Sequence, residues 1–233
     1  MRIALLGYGR MGKAIETIAL ERGHVINLKV NKDSDEFILK DCDVAIDFSL
    51  PKTAFENISR CIEEDTPVVS GTTGWLKRYD DVVELTEKKN GSFLYASNFS
   101  LGVNIFFELN SKLAQLMSKL ADYKVNIEEI HHTQKLDAPS GTAITLAEGI
   151  IEKTSYKEWT LDKPKSEQIG IIAKRKEKVP GTHKIAYTST VDTIDIKHTA
   201  HSRQGFALGA VIAAEYIHDK KGIFTMKDVL NIS

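Results

Sequence analysis

The stretch RIALLGYGRMG, Arg2 to Gly12, decides the fold of the first part of this chain. Arg2 to Leu6 is a short apolar strand, and the turn Gly7-Tyr8-Gly9-Arg10-Met11-Gly12 follows it at once. Lys13 to Arg22 is compatible with a helix, which Gly23 ends. In this order the first glycine permits the tight turn, the second lets a pyrophosphate approach the backbone, and the third lets helix and strand pack closely. The stretch therefore predicts a dinucleotide-binding unit whose turn contacts the cofactor.

The end of the second predicted strand bears on which nucleotide is bound. His24 to Val30 forms this strand, and Asn31 and Lys32 follow it. Proteins selective for NAD usually place an acid here, which bonds the adenosine ribose hydroxyls. Asn31 can bond a ribose hydroxyl and Lys32 can attract a 2′-phosphate, so we expect NADP to be tolerated. Lys32 is equally consistent with an ordinary exposed loop lysine.

Alternating strands and helices continue to about residue 100. Apolar runs at Asp43 to Phe48, Pro67 to Ser70 and Phe93 to Ala96 predict strands, with helical patterns between them. Such alternation indicates a Rossmann-type α/β fold, a parallel sheet with helices on both faces. We expect the loops after these strands to bind the cofactor. Two of them are Gly71-Thr72-Thr73, with hydroxyls for a ribose, and Ser97-Asn98-Phe99, with an amide and a ring for the carboxamide. Ordinary turn chemistry favours the same residue types.

A second informative stretch, EIHHTQKLDAPSGTA, runs from Glu129 to Ala143. Val125 to Ile130 is predicted as a strand, so His131 and His132 lie at its end and Lys135 on the next loop. A helix should open near Ser140-Gly141-Thr142, where unpaired N–H groups, a glycine and a hydroxyl suit a carboxylate or phosphate. The histidines and the lysine add proton donors and cations, so an anionic substrate is indicated. Surface histidines and a plain helix cap are the alternative.

From Gly102 the pattern changes. A long helix carries apolar residues at helical spacing and leads into the strand before His131. A polar, poorly patterned stretch from Ser155 to Glu167 precedes three strand-like runs, at Ile169 to Lys174, Lys184 to Ser189 and Thr193 to His198. These runs suggest one sheet with the His131 strand, and hence a second domain of the α+β class.

Composition excludes several classes of protein. The chain has 233 residues and a net charge of −1, which gives no general attraction to nucleic acid or to an anionic membrane. Cys42 and Cys61 lack metal-ligand spacing and are expected to be free thiols, as in a reducing cytoplasm. His198 and His201 lack further ligands at recognisable spacing, so no metal is expected. Neither a signal peptide nor a membrane-spanning stretch is predicted.

The motifs together resemble the 4-hydroxy-tetrahydrodipicolinate reductase family, also called dihydrodipicolinate reductase, of bacterial lysine and diaminopimelate biosynthesis. The resemblance covers most of the chain, and the HHxxKxDAPSGTA signature is very specific. The matching motifs are GYGRMG from Gly7, DFSLP from Asp47, SGTTGW from Ser70, SNFSLGVN from Ser97, HHTQKLDAPSGTA from His131 and HTAHSRQGFALGAV from His198.

This resemblance implies an NAD(P)H-dependent reductase of a small cyclic dicarboxylate. It implies that His131 is the acid-base residue and Lys135 a proton donor, and that His132, Gly141 and Thr142 hold the substrate. The cofactor would be bound by Gly7 to Gly12, Gly71 to Thr73 and Ala96 to Phe99, with Asn31 and Lys32 affecting the choice of nucleotide. The family is typically tetrameric, with a dinucleotide-binding domain of residues 1–100 plus 205–233 and a substrate-binding and oligomerisation domain of residues 101–204.

Two other functions compete with this one. A different two-domain oxidoreductase, such as an aspartate dehydrogenase, would turn over aspartate and ignore the cyclic imine. A non-catalytic module that senses NAD(H) would bind the cofactor without turnover. The cluster of His131, Lys135 and Gly141-Thr142 argues against the sensor, because a sensor needs no proton donor.

Overall fold

The glycine-rich turn connects a buried strand to the first helix of a parallel sheet. A computed structural model describes residues 1–31, 37–202 and 204–232. The chain divides into two compact units, Met1–Leu101 with Gln204–Ser233 and Gly102–Arg203. Each unit has its own sheet and its own hydrophobic core.

Strands and helices alternate through most of the described residues. In chain order the strands are β1 (Arg2–Leu6), β2 (Val25–Val30), β3 (Val44–Asp47), β4 (Val68–Ser70), β5 (Ser92–Tyr95), β6 (Lys124–His131), β7 (Glu158–Thr160), β8 (Gln168–Arg175), β9 (Gly181–Thr188), β10 (Thr193–Ala200) and β11 (Gly222–Phe224). The α-helices are α1 (Arg10–Glu21), α2 (Pro51–Glu63), α3 (Tyr79–Lys89), α4 (Leu101–Met117), α5 (Gly141–Lys153), α6 (Gln204–Ile217) and α7 (Met226–Leu230). Among the residues described, no helix combines the length and the apolar character needed to cross a membrane.

The first unit is built on a six-stranded sheet in the order β11-β5-β4-β3-β1-β2, with every neighbouring pair parallel. Leu6 pairs with Asp47, Asp47 with Ser70, and Ser70 with Tyr95, so these strands end together. The strand order reverses at β1, which has β2 on one side and β3 on the other. Such a switch point is where α/β sheets bind their ligands. The predicted Rossmann-type fold is confirmed.

Alternation along β1 divides its side chains between two cores, one on each face of the sheet. Ile3 and Leu5 lie in a cluster with residues of α1 and α6. Ala4 and Leu6 lie in a second cluster with residues of α2 and α3. All four are at most 1% exposed, and burying a leucine side chain stabilises the fold by about 1.5–3 kcal/mol. The two cores hold the carboxyl ends of the strands in place.

Helix α6 belongs to the first unit although the second unit precedes it in sequence. Its buried positions are mostly small: Ala207, Gly209, Ala210, Val211, Ala213, Ala214 and Ile217. A Cβ atom at Gly209 would lie 1.7 Å from the carbonyl oxygen of Phe99. The helix therefore approaches the chain after β5 more closely than any other residue type at 209 allows.

The second unit contains a mixed five-stranded sheet in the order β10-β9-β6-β8-β7. Strand β6 is antiparallel to β9 and parallel to β8. Its residues Val125, Ile127, Glu129 and His131 share one buried face, because side chains alternate along a strand. The first two pack in a core with α4 and α5. The same face thus changes from apolar to ionisable towards the end of β6.

The structure adds two strands to those predicted. β7 lies inside the stretch from Ser155 to Glu167, which has no readable pattern, and β11 pairs with β5 at the edge of the first sheet. Each has only three residues, which is too short for alternation to show. α1 begins at Arg10, inside the glycine-rich turn, and not at Lys13 as the sequence pattern suggests.

Candidate active site

The three glycines of the turn have different environments. Gly7 has a φ of +98°, and a Cβ atom there would lie 2.2 Å from the Phe48 carbonyl oxygen. A Cβ at Gly12 would lie 2.5 Å from the Gly7 oxygen, whereas a Cβ at Gly9 would have no atom within 4 Å. Gly7 therefore makes the turn, Gly12 lets α1 pack on it, and Gly9 leaves an open approach to the backbone.

The side chains between these glycines have separate roles. The Tyr8 hydroxyl donates a hydrogen bond to Glu16, and Lys29 Nζ lies 4.7 Å from the Tyr8 ring centre. Arg10 is exposed at the start of α1, while Met11 packs against the core. Tyr8 is thus half-buried and Arg10 exposed beside the turn, whereas the side chain of Met11 contacts the core; their roles in cofactor binding stay predictions.

A cavity of about 1270 Å³ opens beside this turn. Its lining includes Gly7, Tyr8 and Gly9 after β1, Asn31 after β2, and Ser49 after β3. Unpaired N–H groups at the start of α1 favour an anion at this edge. The cavity, the open backbone at Gly9 and the start of α1 together suit a dinucleotide, so the residues present fit a nicotinamide cofactor. Lys32 lies outside the described residues.

Asp47 connects the loops at this edge of the sheet through hydrogen bonds to its carboxylate. It is fully buried, and its Oδ2 accepts hydrogen bonds from Thr72 Oγ1 at 2.7 Å and Ser70 Oγ at 2.9 Å. Burial raises the pKa of its carboxyl, although these hydrogen bonds act in the opposite direction. Thr72 Oγ1 also accepts from Ser49 N at 2.9 Å. The Thr72 hydroxyl is therefore bonded within the protein, whereas Thr73 is exposed in the same loop. The role of both in cofactor binding stays a prediction.

The loop after β5 contains a buried aromatic ring. The Phe99 side chain is 2% exposed and packs 5.6 Å from the Phe48 ring, so it contacts the core, and its role beside the carboxamide stays a prediction. A Cβ at Gly71 would lie 2.3 Å from the Phe48 ring, so this glycine also serves packing. Ala96, Ser97 and Asn98 precede the buried ring at the ligand edge of the sheet.

In the second unit, Glu129 is the centre of a buried polar cluster. Its side chain is 0% exposed, and its Oε2 lies 3.1 Å from His131 Nδ1, at an angle outside the limits of a hydrogen bond. The backbone N–H of Ser140 donates to both carboxylate oxygens at 3.2 Å. Arg175 donates to Oε1 from both terminal nitrogens at 3.3 Å. Burial alone would raise the pKa of Glu129, but its contacts with His131 and Ser140 outweigh burial and hold the pKa at about 2.

His183 completes this cluster. It is cross-strand partner to Glu129, and its ring centre lies 5.0 Å from that of His131. Burial, followed by the charge of His131, lowers the pKa of His183 to about 4. The sequence alone gave no sign of His183 or Arg175, because only the strand register brings them beside Glu129 and His131. Glu129 lies two residues before His131 in the sequence, and this spacing is the one signal that places the two side chains on the same face of the strand.

Lys135 lies on the loop after β6. Its Nζ donates to both carboxylate oxygens of Asp137, at 2.8 and 2.7 Å, and this hydrogen bond lowers the pKa of Asp137. Arg175 donates to the backbone oxygens of Lys135 at 3.2 Å and of Asp137 at 2.6 Å. The loop is therefore tied to Glu129 through one guanidinium group.

Helix α5 begins beside the same cluster. Ser140 is its N-cap, and Ser140 Oγ accepts from Ala143 N at 3.2 Å. Gly141 is exposed, and a Cβ there would have no atom within 4 Å, so the first turn is open to a ligand. His132 is half-buried, and its Nδ1 has no hydrogen-bond partner among residues 1–31, 37–202 and 204–232. Of the predicted substrate residues, Gly141 and Thr142 open α5, and His132 follows β6 directly.

Three side chains of this cluster carry donor atoms that could bind a metal ion. Glu129, His131 and His183 each bring one donor atom within 4.8 Å of the others. Ser140 and Arg175 occupy the same carboxylate by hydrogen bonds. The Glu129 carboxylate is thus a hydrogen-bond acceptor within the cluster.

The parallel sheet, its three-glycine turn and the ionisable cluster of the second unit define a dinucleotide-dependent oxidoreductase with two domains. Comparison with known proteins gives the particular family. The model described as "Dihydrodipicolinate reductase, N-terminus" matches residues 1–99, and the model for the C-terminus of the same reductase matches residues 102–230. The chain belongs to the dihydrodipicolinate reductase family, and it is an oxidoreductase.

Relatives match along the whole chain. The 4-hydroxy-tetrahydrodipicolinate reductase of Christiangramia forsetii is 61% identical over 99% of this chain and 98% of its own length. That of Methanosarcina acetivorans is 36% identical over 99% and 89%. A solved dipicolinate-bound dihydrodipicolinate reductase from Paenisporosarcina sp. TG-14 has a TM-score of 0.78 at 24% identity and covers 100% of this chain and 99% of its own. This structural likeness supports the fold.

Proposed function

We propose that this chain reduces 4-hydroxy-tetrahydrodipicolinate to tetrahydrodipicolinate with a nicotinamide cofactor, a step of lysine and diaminopimelate biosynthesis. The observation that carries the proposal is the end-to-end identity of 61% with a reductase of that name. The end of β6 supports it independently, because His131, Lys135 and the open start of α5 are the groups that reduction of a cyclic dicarboxylate requires.

The cofactor supplies the hydride. Gly7 to Gly12 and the start of α1 would hold its pyrophosphate, while Asn31, Thr73 and the loop of Ser97 and Asn98 would hold its sugars and carboxamide. The side chains of Met11, Thr72 and Phe99 support these loops from inside the protein. This division separates the predicted cofactor residues into those that touch the ligand and those that shape its site.

The residues of the second unit bind the substrate and supply the proton. A carboxylate of the substrate accepts hydrogen bonds from the first N–H groups of α5 at Gly141 and Thr142. His132 donates to the other carboxylate. Lys135 leaves Asp137 for the substrate, since Asp137 is an exposed partner that a bound dianion can replace. His131 or Lys135 then delivers the proton that balances the added hydride, which adds about 10²–10⁴-fold to the rate. The 4-hydroxyl group of the substrate leaves as water, so the products are tetrahydrodipicolinate, the oxidised cofactor and one water.

The choice of nucleotide follows from the residue after β2. Asn31 carries no charge to repel a 2′-phosphate, so NADPH is accepted beside NADH. We further expect a homotetramer in the cytoplasm, as the family resemblance implies; sedimentation velocity of the purified protein tests the assembly.

The test is oxidation of NADPH and NADH, followed by absorbance, in the presence of substrate freshly condensed from pyruvate and aspartate semialdehyde. Oxidation that depends on this substrate supports the proposal, and the ratio of the two rates gives the preference. Turnover of aspartate in its place favours a different oxidoreductase. Bound cofactor without turnover favours a sensor.

Lys135→Ala tests the assigned proton donor. The variant should fold and should lose about 10²-fold or more in kcat, because both the proton and a cation are removed. Lys176→Ala is the matched control, since Lys176 is exposed on the loop after β8. Near-normal activity of Lys135→Ala would remove this residue from the mechanism.

A further inference from the structure

The buried carboxylate of Glu129 contacts several polar groups of the candidate site. A buried carboxylate is costly unless hydrogen bonds and charges compensate it. Here the partners are His131, Arg175, His183 and the N–H of Ser140. Each of these partners is a residue that the proposed function uses, or lies next to one.

We infer that Glu129 is a positioning residue that fixes the tautomer of His131 and aligns three parts of the substrate site: His131, the Lys135 loop and the start of α5. This inference rests on the proposed function for the roles of those three parts. Its physical content, the hydrogen position on His131, can be measured whether or not the enzyme is active.

The tautomer follows from the geometry of β6. Glu129 and His131 point to the same face, and Nδ1 is the ring nitrogen that lies 3.1 Å from the carboxylate. A carboxylate beside one ring nitrogen favours the hydrogen on that nitrogen. The proton therefore sits on Nδ1 of the neutral ring, and Nε2 is the atom that exchanges a proton with the substrate.

The surroundings of Nε2 agree with this assignment. A Cβ atom at Gly181 would lie 3.2 Å from Nε2 and 3.4 Å from Cδ2 of His131. Gly181 is the first residue of β9, so the absence of a side chain there leaves room at the reactive end of the ring. Glu129 therefore lies beside Nδ1, and a side chain larger than glycine at 181 would crowd Nε2.

Through Arg175 and Ser140, Glu129 also positions the Lys135 loop and the start of α5. Arg175 contacts Glu129 and the backbone oxygens of Lys135 and Asp137 at the same time. The Ser140 N–H binds both Glu129 oxygens directly before the first turn of α5. Removing the negative charge of Glu129 would therefore weaken the contacts that position His131, the Lys135 loop and the start of α5.

The first measurement is the ¹⁵N spectrum of the histidine rings in the wild-type protein, with His131 identified by its loss in His131→Asn. At a pH where the ring is neutral, we expect hydrogen on Nδ1. Hydrogen on Nε2 overturns the inference, and this result needs no other variant to fold. If substrate-dependent turnover is absent, the proposed function fails while this spectrum still decides the tautomer.

The second measurement compares Glu129→Gln with Glu128→Gln. Glu128 is the next residue on β6 and forms an ion pair with Lys174, so its substitution changes the same charge without reaching His131. In Glu129→Gln we expect mixed tautomers of His131 and a loss of about 10²-fold in kcat. Glu128→Gln should match wild type in both. A folded Glu129→Gln protein with the wild-type tautomer would reduce Glu129 to a structural ion-pair partner.

Discussion

The burial of His183 predicts that acid weakens the second unit well before its carboxylates are protonated. His183 is 5% exposed, and burial lowers its pKa from 6.5 to about 4. The unfolded chain binds this proton first, so His183 contributes stability above pH 6.5 that is lost as the pH falls towards 4. A depression of about two and a half units corresponds to about 3 kcal/mol, of which about 2 kcal/mol disappears between pH 7 and 4.5.

The other titrating groups of the cluster can be separated from His183. Burial also lowers the pKa of His198, which adds a loss of the same sign in the same window. Glu129, with a pKa of about 2, contributes stability that is lost only below its ordinary value of 4.5. Measurements from pH 7 to 4.5 therefore isolate the histidines, and the variant His183→Gln isolates the share of His183.

The two tryptophans allow each unit to be followed by itself. Trp75 lies in the first unit and Trp159 in the second. In a Trp75→Phe background, urea unfolding read by fluorescence reports the second unit at each pH. The pH-dependent loss should be about 2 kcal/mol smaller when His183 is glutamine. Equal losses with and without His183, or no loss in either protein, would refute the argument from burial.

Three further predictions concern single positions. Gly181→Ala should lower kcat about tenfold or more, because its Cβ would displace His131 Nε2 by contact at 3.2 Å; unchanged coupled-assay kinetics would contradict it. Asp47→Asn should cost about 1–3 kcal/mol of unfolding free energy in the first unit, since an amide whose oxygen accepts the two hydroxyl bonds turns its NH2 group towards the Asn57 Nδ2 donor; urea unfolding read by Trp75 checks it, and equal midpoints would argue against it. Gly209→Ala should cost about 3 kcal/mol or more by overpacking at Phe99, while Gly205→Ala, whose Cβ meets only Ser100 Oγ at 3.7 Å, should be neutral or stabilising in a thermal melt.

The sequence predicts the first unit well because its signals are local. Strand, glycine turn and helix follow one another from Arg2 to Glu21, and each glycine has a separate geometric reason. The capping box of Thr225 and Asp228 at the start of α7 is a local signal of the same kind. Short edge strands such as β7 and β11 carry too few residues to give a pattern.

The candidate site was only half predictable. His131, Lys135 and Gly141 follow one another in the chain, so a motif reveals them. His183 and Arg175 come from β9 and β8, and only the register of the mixed sheet brings them to Glu129. Likewise, the residue types of Thr72 and Phe99 give no sign that both side chains are buried in the structure.

The late position of α6 has a consequence for synthesis on the ribosome. Strands β1 to β5 are made first, but the face of their sheet that α6 covers stays without this helix until residues 204–217 have left the exit tunnel. During the translation of about a hundred intervening residues, at roughly 5–20 residues per second, that apolar face is a target for chaperones and for aggregation. A nascent chain arrested before α6 would therefore expose this apolar face, and the core of the first unit can be completed only after α6 has been made.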